Sequence, residues 1–270
     1  MNTATPATPD RHRPRARVVA VANQKGGVGK TTTALNLAAG LASLSQRVLL
    51  VDMDPQGNAS TGCGIELAEG QATLCELLMG EAEVGAVRVT APEMGFDLLP
   101  SNSDLTVAEV ALMEADDRAT VLRGLLDPLR DEYDQILIDC PPALTVLTLN
   151  ALTAADGVLI PMQCEYYAME GLSALLGTIE QIQASVNPAL QIEGLVRTMY
   201  DVRNNLSGAV SRQLAEHFGE RLYRTVVPRN VRVAEAPSYG LSVIHYDPES
   251  RGAVAYLGLA SEYLQRQEAR

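Results

Sequence analysis

Gln24-Lys25-Gly26-Gly27-Val28-Gly29-Lys30-Thr31 holds both lysines of a 270-residue chain whose other basic positions, apart from three histidines, are all arginine. A chain that avoids lysine elsewhere and keeps two here needs a compact ammonium at both places. The wide planar fork of arginine is a poor substitute for a point charge among phosphate oxygens. From Val18 to Leu44 the sequence reads strand, glycine loop, helix. Gly26, Gly27 and Gly29, with Val28 between them, let backbone N–H groups turn inward on a phosphate, and the helix beginning near Lys30 adds its positive end. In such a loop Lys30 reaches the β- and γ-phosphates, and the Thr31 hydroxyl, followed by Thr32, ligates Mg²⁺. The usual pattern places a glycine six residues before that lysine. Here the position is Gln24, and Lys25 follows it directly.

Outward from this loop, short apolar runs alternate with helical periodicity. Strands are expected at Val18–Ala22, Val48–Val51, Phe96–Leu99, Ile136–Ile138, Val158–Ile160, Leu195–Met199 and Tyr223–Val227. Helices are expected at Thr32–Leu44, Val107–Met113, Gly171–Ser185, Ser207–Phe218 and Gly252–Gln267. Unbroken apolar runs, rather than alternation, fit strands buried on both faces of a parallel sheet. The repeated β-α order predicts an α/β fold: one doubly wound, mostly parallel sheet with helices on both faces. Residues 17–270 form the expected domain. Residues 1–16, rich in Thr, Pro and Arg, read as a disordered basic tail with no apolar signal segment.

The chain is 47% hydrophobic but only 4% aromatic and lacks Trp, so its core is Leu, Val, Ile and Ala. So few aromatic residues argue against recognition of single strands by base stacking. Net charge −12 argues against a surface that coats nucleic acid uniformly. Cys63, Cys75, Cys140 and Cys164 are widely spaced and form no CxxC, which excludes an obvious zinc or disulfide framework and suits a reducing cytoplasm. No run approaches the ~18 apolar residues of a membrane span.

The order K-G-G-V-G-K-T resembles the deviant Walker A ATPases: partition proteins, division-site selectors and relatives of the nitrogenase iron protein. The resemblance implies a sandwich homodimer around two ATP molecules, with Lys30 serving its own subunit's phosphates and Lys25 those of the partner. Asp52, Asp54 and Asp139 each end or follow an apolar strand, a position where a lone Asp is more often a turn or cap residue. Val48-Leu49-Leu50-Val51-Asp52-Met53-Asp54-Pro55-Gln56-Gly57-Asn58 resembles the family's second motif. By that resemblance Asp54 positions the attacking water and Asp52 supports it. Ile136-Leu137-Ile138-Asp139-Cys140-Pro141-Pro142 resembles Walker B, with Asp139 holding a magnesium-bound water. Thr31, Asp54 and Asp139 are therefore the expected magnesium set, and Lys25, Lys30 and Asp54 the expected catalytic one.

Val226-Val227-Pro228-Arg229-Asn230-Val231-Arg232-Val233-Ala234-Glu235-Ala236-Pro237 resembles the corresponding stretch of ParA/Soj-type partition ATPases. It implies that Pro228 and Asn230 lie beside adenine. Tyr166 and Tyr167 match the family near its dimer interface, with packing as their ordinary reading. Between Leu195 and Arg232 seven arginines face three acids, a local +4 within the acidic chain. The resemblance makes Arg203 and Arg232, then Arg229, the candidates for nonspecific double-stranded DNA binding, against the plainer reading of a solvated face. It also implies a centromere-binding ParB-type partner and a cytoplasmic, nucleoid-associated protein. Lys25 comes too early for a preceding helix-turn-helix, so operator-specific repression is not expected. The alternatives are a MinD-like membrane cycler, a nitrogenase-iron-protein-like cluster carrier and a binding scaffold with vestigial hydrolysis. The first needs a basic amphipathic C-terminal helix, but the final residues contain no lysine. The second needs ligand-spaced cysteines, and Cys140 alone is suggestive. Intact Lys30, Thr31, Asp54 and Asp139 oppose the third.

Overall fold

Eight strands form one sheet in the computed structural model, which describes residues 15–269. They are β1 (Arg17–Val21), β2 (Val48–Asp52), β3 (Val89–Ala91), β4 (Phe96–Leu99), β5 (Gln135–Asp139), β6 (Gly157–Gln163), β7 (Gln191–Tyr200) and β8 (Leu222–Pro228). Their order is β3-β4-β2-β5-β1-β6-β7-β8, parallel throughout except where β3 pairs antiparallel with β4. All seven expected strands are present, most of them extended by a residue or more. β3 adds an eighth at the edge. The expected tail lies outside the described residues up to position 14. Arg15 is exposed, but Ala16 is already buried and donates its N–H to the Arg130 carbonyl at 2.8 Å.

Two separate apolar layers cover the sheet, as a doubly wound order requires. Val18, Ala20, Leu49, Val51, Ile136 and Ile138 face one layer, packed under helices Leu105–Glu114, Val146–Ala154 and Ala168–Ser185. Val19, Val21, Leu50, Leu137 and Leu159 face the other, under helices Lys30–Ser43 and Arg251–Glu268. The central strands thus bury every second side chain on each face, which explains their unbroken apolar runs. Each such Val, Leu or Ile contributes about 1.5–3 kcal/mol.

Helices Lys30–Ser43 and Arg251–Glu268 touch at a glycine: a Cβ on Gly40 would lie 2.9 Å from the Ala260 Cβ. The inner side of the C-terminal helix, with Ala253, Tyr256, Leu259, Ala260 and Tyr263, is spent on this packing. Among the described residues no helix is long and apolar enough to cross a membrane.

The in-register pairing Val21↔Asp139 and Asp52↔Asp139 brings the ends of β1, β5 and β2 level. Ligands of open α/β sheets sit at these carboxyl ends.

Candidate functional site

The glycine loop turns at the end of β1 and enters helix Lys30–Ser43 through Gly29, whose φ of 87° is left-handed and open chiefly to glycine. Buried Asn23 pins the loop's base: its amide donates to the Pro161 carbonyl at 2.8 Å, and its oxygen accepts the Lys25 N–H at 3.0 Å. Further along, the Val28 carbonyl accepts the Thr198 hydroxyl at 2.7 Å. Two flanking strands, β6 and β7, therefore hold the loop. Neither Asn23 nor Thr198 stands out in the sequence, because the contacts with Pro161 and Val28 that fix the loop join residues distant along the chain.

The two lysines part company. Lys30 is buried, with its ammonium 3.3 Å from the Lys25 carbonyl. Burial pulls its pKa below the ordinary lysine value, opposed chiefly by Asp139 and less by Asp54. Lys25 points away and is half exposed, 2.6 Å from the Glu165 carboxylate of the same subunit.

A cavity of about 680 Å³ brings together Gly26, Gly27, Gly29, Lys30, Thr31 and Thr32 with Asp54 and Pro55 from the second motif. Pro141, Pro142 and Ala143, following Asp139, also line it, as do Thr106 and Glu109. Val28 and Lys25 are absent from the wall: Val28 contributes backbone from a buried position, and Lys25 leans on Glu165. Met199 also lines the cavity, against Gly29, at an unusual φ of 47°.

The three carboxylates differ in partners. Asp52 is fully buried and satisfied, accepting the Ser60 N–H at 2.8 Å, the Ser60 hydroxyl at 2.7 Å and the Asp54 N–H at 3.3 Å. Burial nevertheless raises its pKa to about 6. It shapes the second motif, since Ser60 Oγ in turn accepts the Ser101 N–H at 2.9 Å. Asp54 is buried at the cavity wall, and its carbonyl accepts the Ser101 hydroxyl at 2.7 Å. Asp139 is fully buried, and apart from the neighbouring Thr31 hydroxyl neither of its oxygens meets a hydrogen-bond donor among the described residues. Burial, then Asp52, pushes its pKa well up, while the nearby Thr31 hydroxyl and Lys30 draw it down.

A buried carboxylate met by no donor but the Thr31 hydroxyl, beside an ammonium and a glycine loop, fits a magnesium nucleotide. Mg²⁺ commonly takes one or two carboxylates, waters and substrate phosphates rather than a protein cage. Accordingly, no cluster of three or more His, Cys, Asp or Glu side chains among the described residues is placed to hold a metal. All four cysteines are buried.

Pro228 and Asn230 lie outside this cavity wall, at the end of β8, where the Asn230 oxygen caps helix Val231–Glu235 by accepting the Val233 N–H at 3.3 Å. Tyr166 and Tyr167 are exposed and meet edge to face at 5.0 Å, so they are surface residues of the monomer. Within the basic segment Arg197 is structural: it donates to Ser211 Oγ and to the Tyr223 and Arg224 carbonyls at 2.9, 2.8 and 3.1 Å. Arg203 and Arg229 are exposed and Arg232 is half exposed, at the ends of β7 and β8.

The chain matches the AAA domain family over residues 16–192. It is 51% identical to the chromosome partitioning protein ParA of Caulobacter vibrioides over 94% of this chain and 96% of that protein. It is 49% identical to the sporulation initiation inhibitor protein Soj of Bacillus subtilis, over 91% and 97% respectively. Among solved structures, cobyrinic acid a,c-diamide synthase from Mycobacterium smegmatis, with bound ATP analogue and magnesium, superposes with a TM-score of 0.82 at 38% identity, covering 94% of this chain and 96% of that one.

Proposed function

We propose that this chain, which belongs to the ParA/Soj family of chromosome-partitioning ATPases, is an ATP-switched partition ATPase working on DNA in the cytoplasm. In this reading ATP closes two copies face to face, and the closed pair holds double-stranded DNA without regard to sequence. A centromere-binding ParB-type partner then triggers hydrolysis and release.

The chain is an ATPase that uses ATP with Mg²⁺. When bound, the ion neutralises phosphate charge and orients the γ-phosphoryl group. The chain's own residues supply the rest. Inward N–H groups of residues 26–30 and the buried Lys30 ammonium hold the phosphates. Thr31 and Asp139 are the residues to hold the ion, with Asp139 bringing oxygens that no donor besides Thr31 meets among the described residues. Asp54, at the cavity wall, is the carboxylate to orient the attacking water. Phosphoryl transfer needs positioning and charge stabilisation more than covalent chemistry, so this set suffices.

The observation that carries the switch is the separation of the lysines: Lys30 is committed to the pocket, while Lys25 stands half exposed beside it. A membrane-cycling reading has less support, because the C-terminal helix already spends its apolar face on the sheet.

A DNA titration without nucleotide, with ADP and with ATP tests the proposal on wild type and Asp54→Ala. ATP-dependent, sequence-indifferent binding is expected, with dissociation constants of about 10⁻⁴–10⁻⁶ M for unstimulated contacts. Asp54→Ala should keep that binding and lose turnover. Binding confined to one sequence, or indifferent to nucleotide, overturns the reading.

A further inference from the structure

Two of the three exposed arginines at the ends of β7 and β8, Arg203 and Arg232, are already engaged. Arg203 has an 85% exposed side chain, yet its Nε and Nη2 take both oxygens of Asp201 at 2.9 and 2.8 Å, and its N–H adds a third bond at 3.0 Å. This is the two-pronged geometry with which arginine grips phosphate. Arg232 is held twice, by Glu235 at 2.9 Å and Asp247 at 3.2 Å, and Glu235 also accepts the Tyr246 hydroxyl at 3.4 Å. Arg229 makes no ion pair among the described residues. These pairs are too exposed to add much stability, so a purely structural role explains them poorly.

We propose that Asp201, Glu235 and Asp247 are built-in competitors for DNA phosphate, masking Arg203 and Arg232 so that each single contact is weak. The inference rests on the reading of these arginines as the DNA surface. A phosphate must displace a carboxylate at each masked arginine, so one subunit's patch binds little and a doubled patch is needed. The masking fits the chain's chemistry. The Arg203 hydrogen bonds hold the Asp201 carboxyl below the ordinary carboxylate range, a sign that its charge is committed to this arginine. The Arg203 segment also borders the nucleotide cavity, through Met199 two residues before Asp201.

The test is fluorescence anisotropy with a random-sequence duplex at fixed salt, in ADP and in ATP. It compares wild type, Asp201→Asn, Glu235→Gln and the double variant. The amide introduced by Asp201→Asn keeps an oxygen for the Arg203 N–H, so the turn survives. Asp131→Asn is the control, since it removes the carboxylate paired with Arg15 at 3.4 Å, beside the opposite ends of the strands, and leaves the Arg15 bond to the Asp127 carbonyl. Each patch variant should bind DNA about two- to five-fold more tightly, the double variant multiplicatively, with DNA-free ATP turnover unchanged. The double variant should also retain binding in ADP that wild type lacks. Unchanged or weaker binding, or an equal gain in Asp131→Asn, overturns the masking while leaving the DNA surface standing. No wild-type binding in any nucleotide state overturns the DNA surface itself, and the masking with it.

Discussion

The Lys25 ammonium lies 2.6 Å from Glu165, a carboxylate 140 residues further along the same chain. Any role for Lys25 on a second subunit's phosphates requires this pair to be exchanged. Both groups are partly solvated, so the exchange is cheap; exposed pairs contribute ~0.2–1 kcal/mol. Glu165→Gln should therefore tighten ATP-dependent dimerisation by up to about five-fold, and Lys25→Ala should abolish it while sparing nucleotide binding by the monomer. Sedimentation with ATP and with ADP reads both. Normal dimers in Lys25→Ala would remove the trans role.

Arg197 and Arg203 belong to the same basic segment but should fail differently. Arg197→Ala strips donors from two backbone carbonyls and Ser211, a loss of about 1–3 kcal/mol, or roughly 2–12 °C in Tm. Its DNA binding should keep the wild-type salt slope. Arg203→Ala should melt normally but bind every DNA sequence more weakly, with a slope shallower by about 1 per arginine lost. A flattened slope in Arg197→Ala would mean that this side chain faces DNA after all.

Much of this architecture is legible in the residues alone. β1, β2 and β5 show themselves because burial on both faces writes unbroken Val, Leu and Ile runs, and the loop shows itself through its glycines and lysines. Three-residue β3 leaves no such mark; its Thr90 is exposed and the strand is held only antiparallel to β4. Helix Val146–Ala154 escapes notice for the opposite reason: it is buried nearly all round, Thr148, Asn150 and Thr153 included, so no 3.6-residue apolar stripe appears. The site is legible where residues act on ligands and illegible where they act on each other. Thr198 on Val28 and Glu165 on Lys25 are meetings that the sheet makes and the sequence cannot. Counting charge also conceals pairing, since Arg197, Arg203 and Arg232 all enter the local +4 and all prove to be engaged.

Gly40 faces Ala260 where two helices cross on the sheet. A methyl there would stand 2.9 Å from the Ala260 Cβ and 3.4 Å from the Tyr256 carbonyl, neither of which moves without its helix. Overpacking of this kind costs ~1–3 kcal/mol, against ~1 kcal/mol that Ala gains over Gly within a helix. Gly40→Ala should thus lower Tm by a few degrees. Adding Ala260→Gly should restore it by reopening the space. A Gly40→Ala protein as stable as wild type would show that the helices separate freely.

Met199 is one of two non-glycine residues with positive φ among those described, and it joins the nucleotide cavity to the segment carrying Asp201 and Arg203. Its backbone is fixed on one side by Thr198, bonded to the glycine loop. On the other side, the β7–β8 register slips between Arg197 and Tyr200. Any residue with a Cβ is strained by about 1–3 kcal/mol at φ of 47°, methionine included, and a β-branched side chain, stiffer at χ1, is strained further. Met199→Val should melt below wild type and bind ATP more weakly, because its added strain is relieved only by shifting the strand end off the loop. Met199→Gly accepts the backbone and removes only the side-chain wall, so it should melt close to wild type with a smaller loss of ATP affinity. Thermal melts and titration with a fluorescent ATP analogue separate the two. If Val and Gly behave alike, side-chain contact rather than backbone conformation is what Met199 contributes.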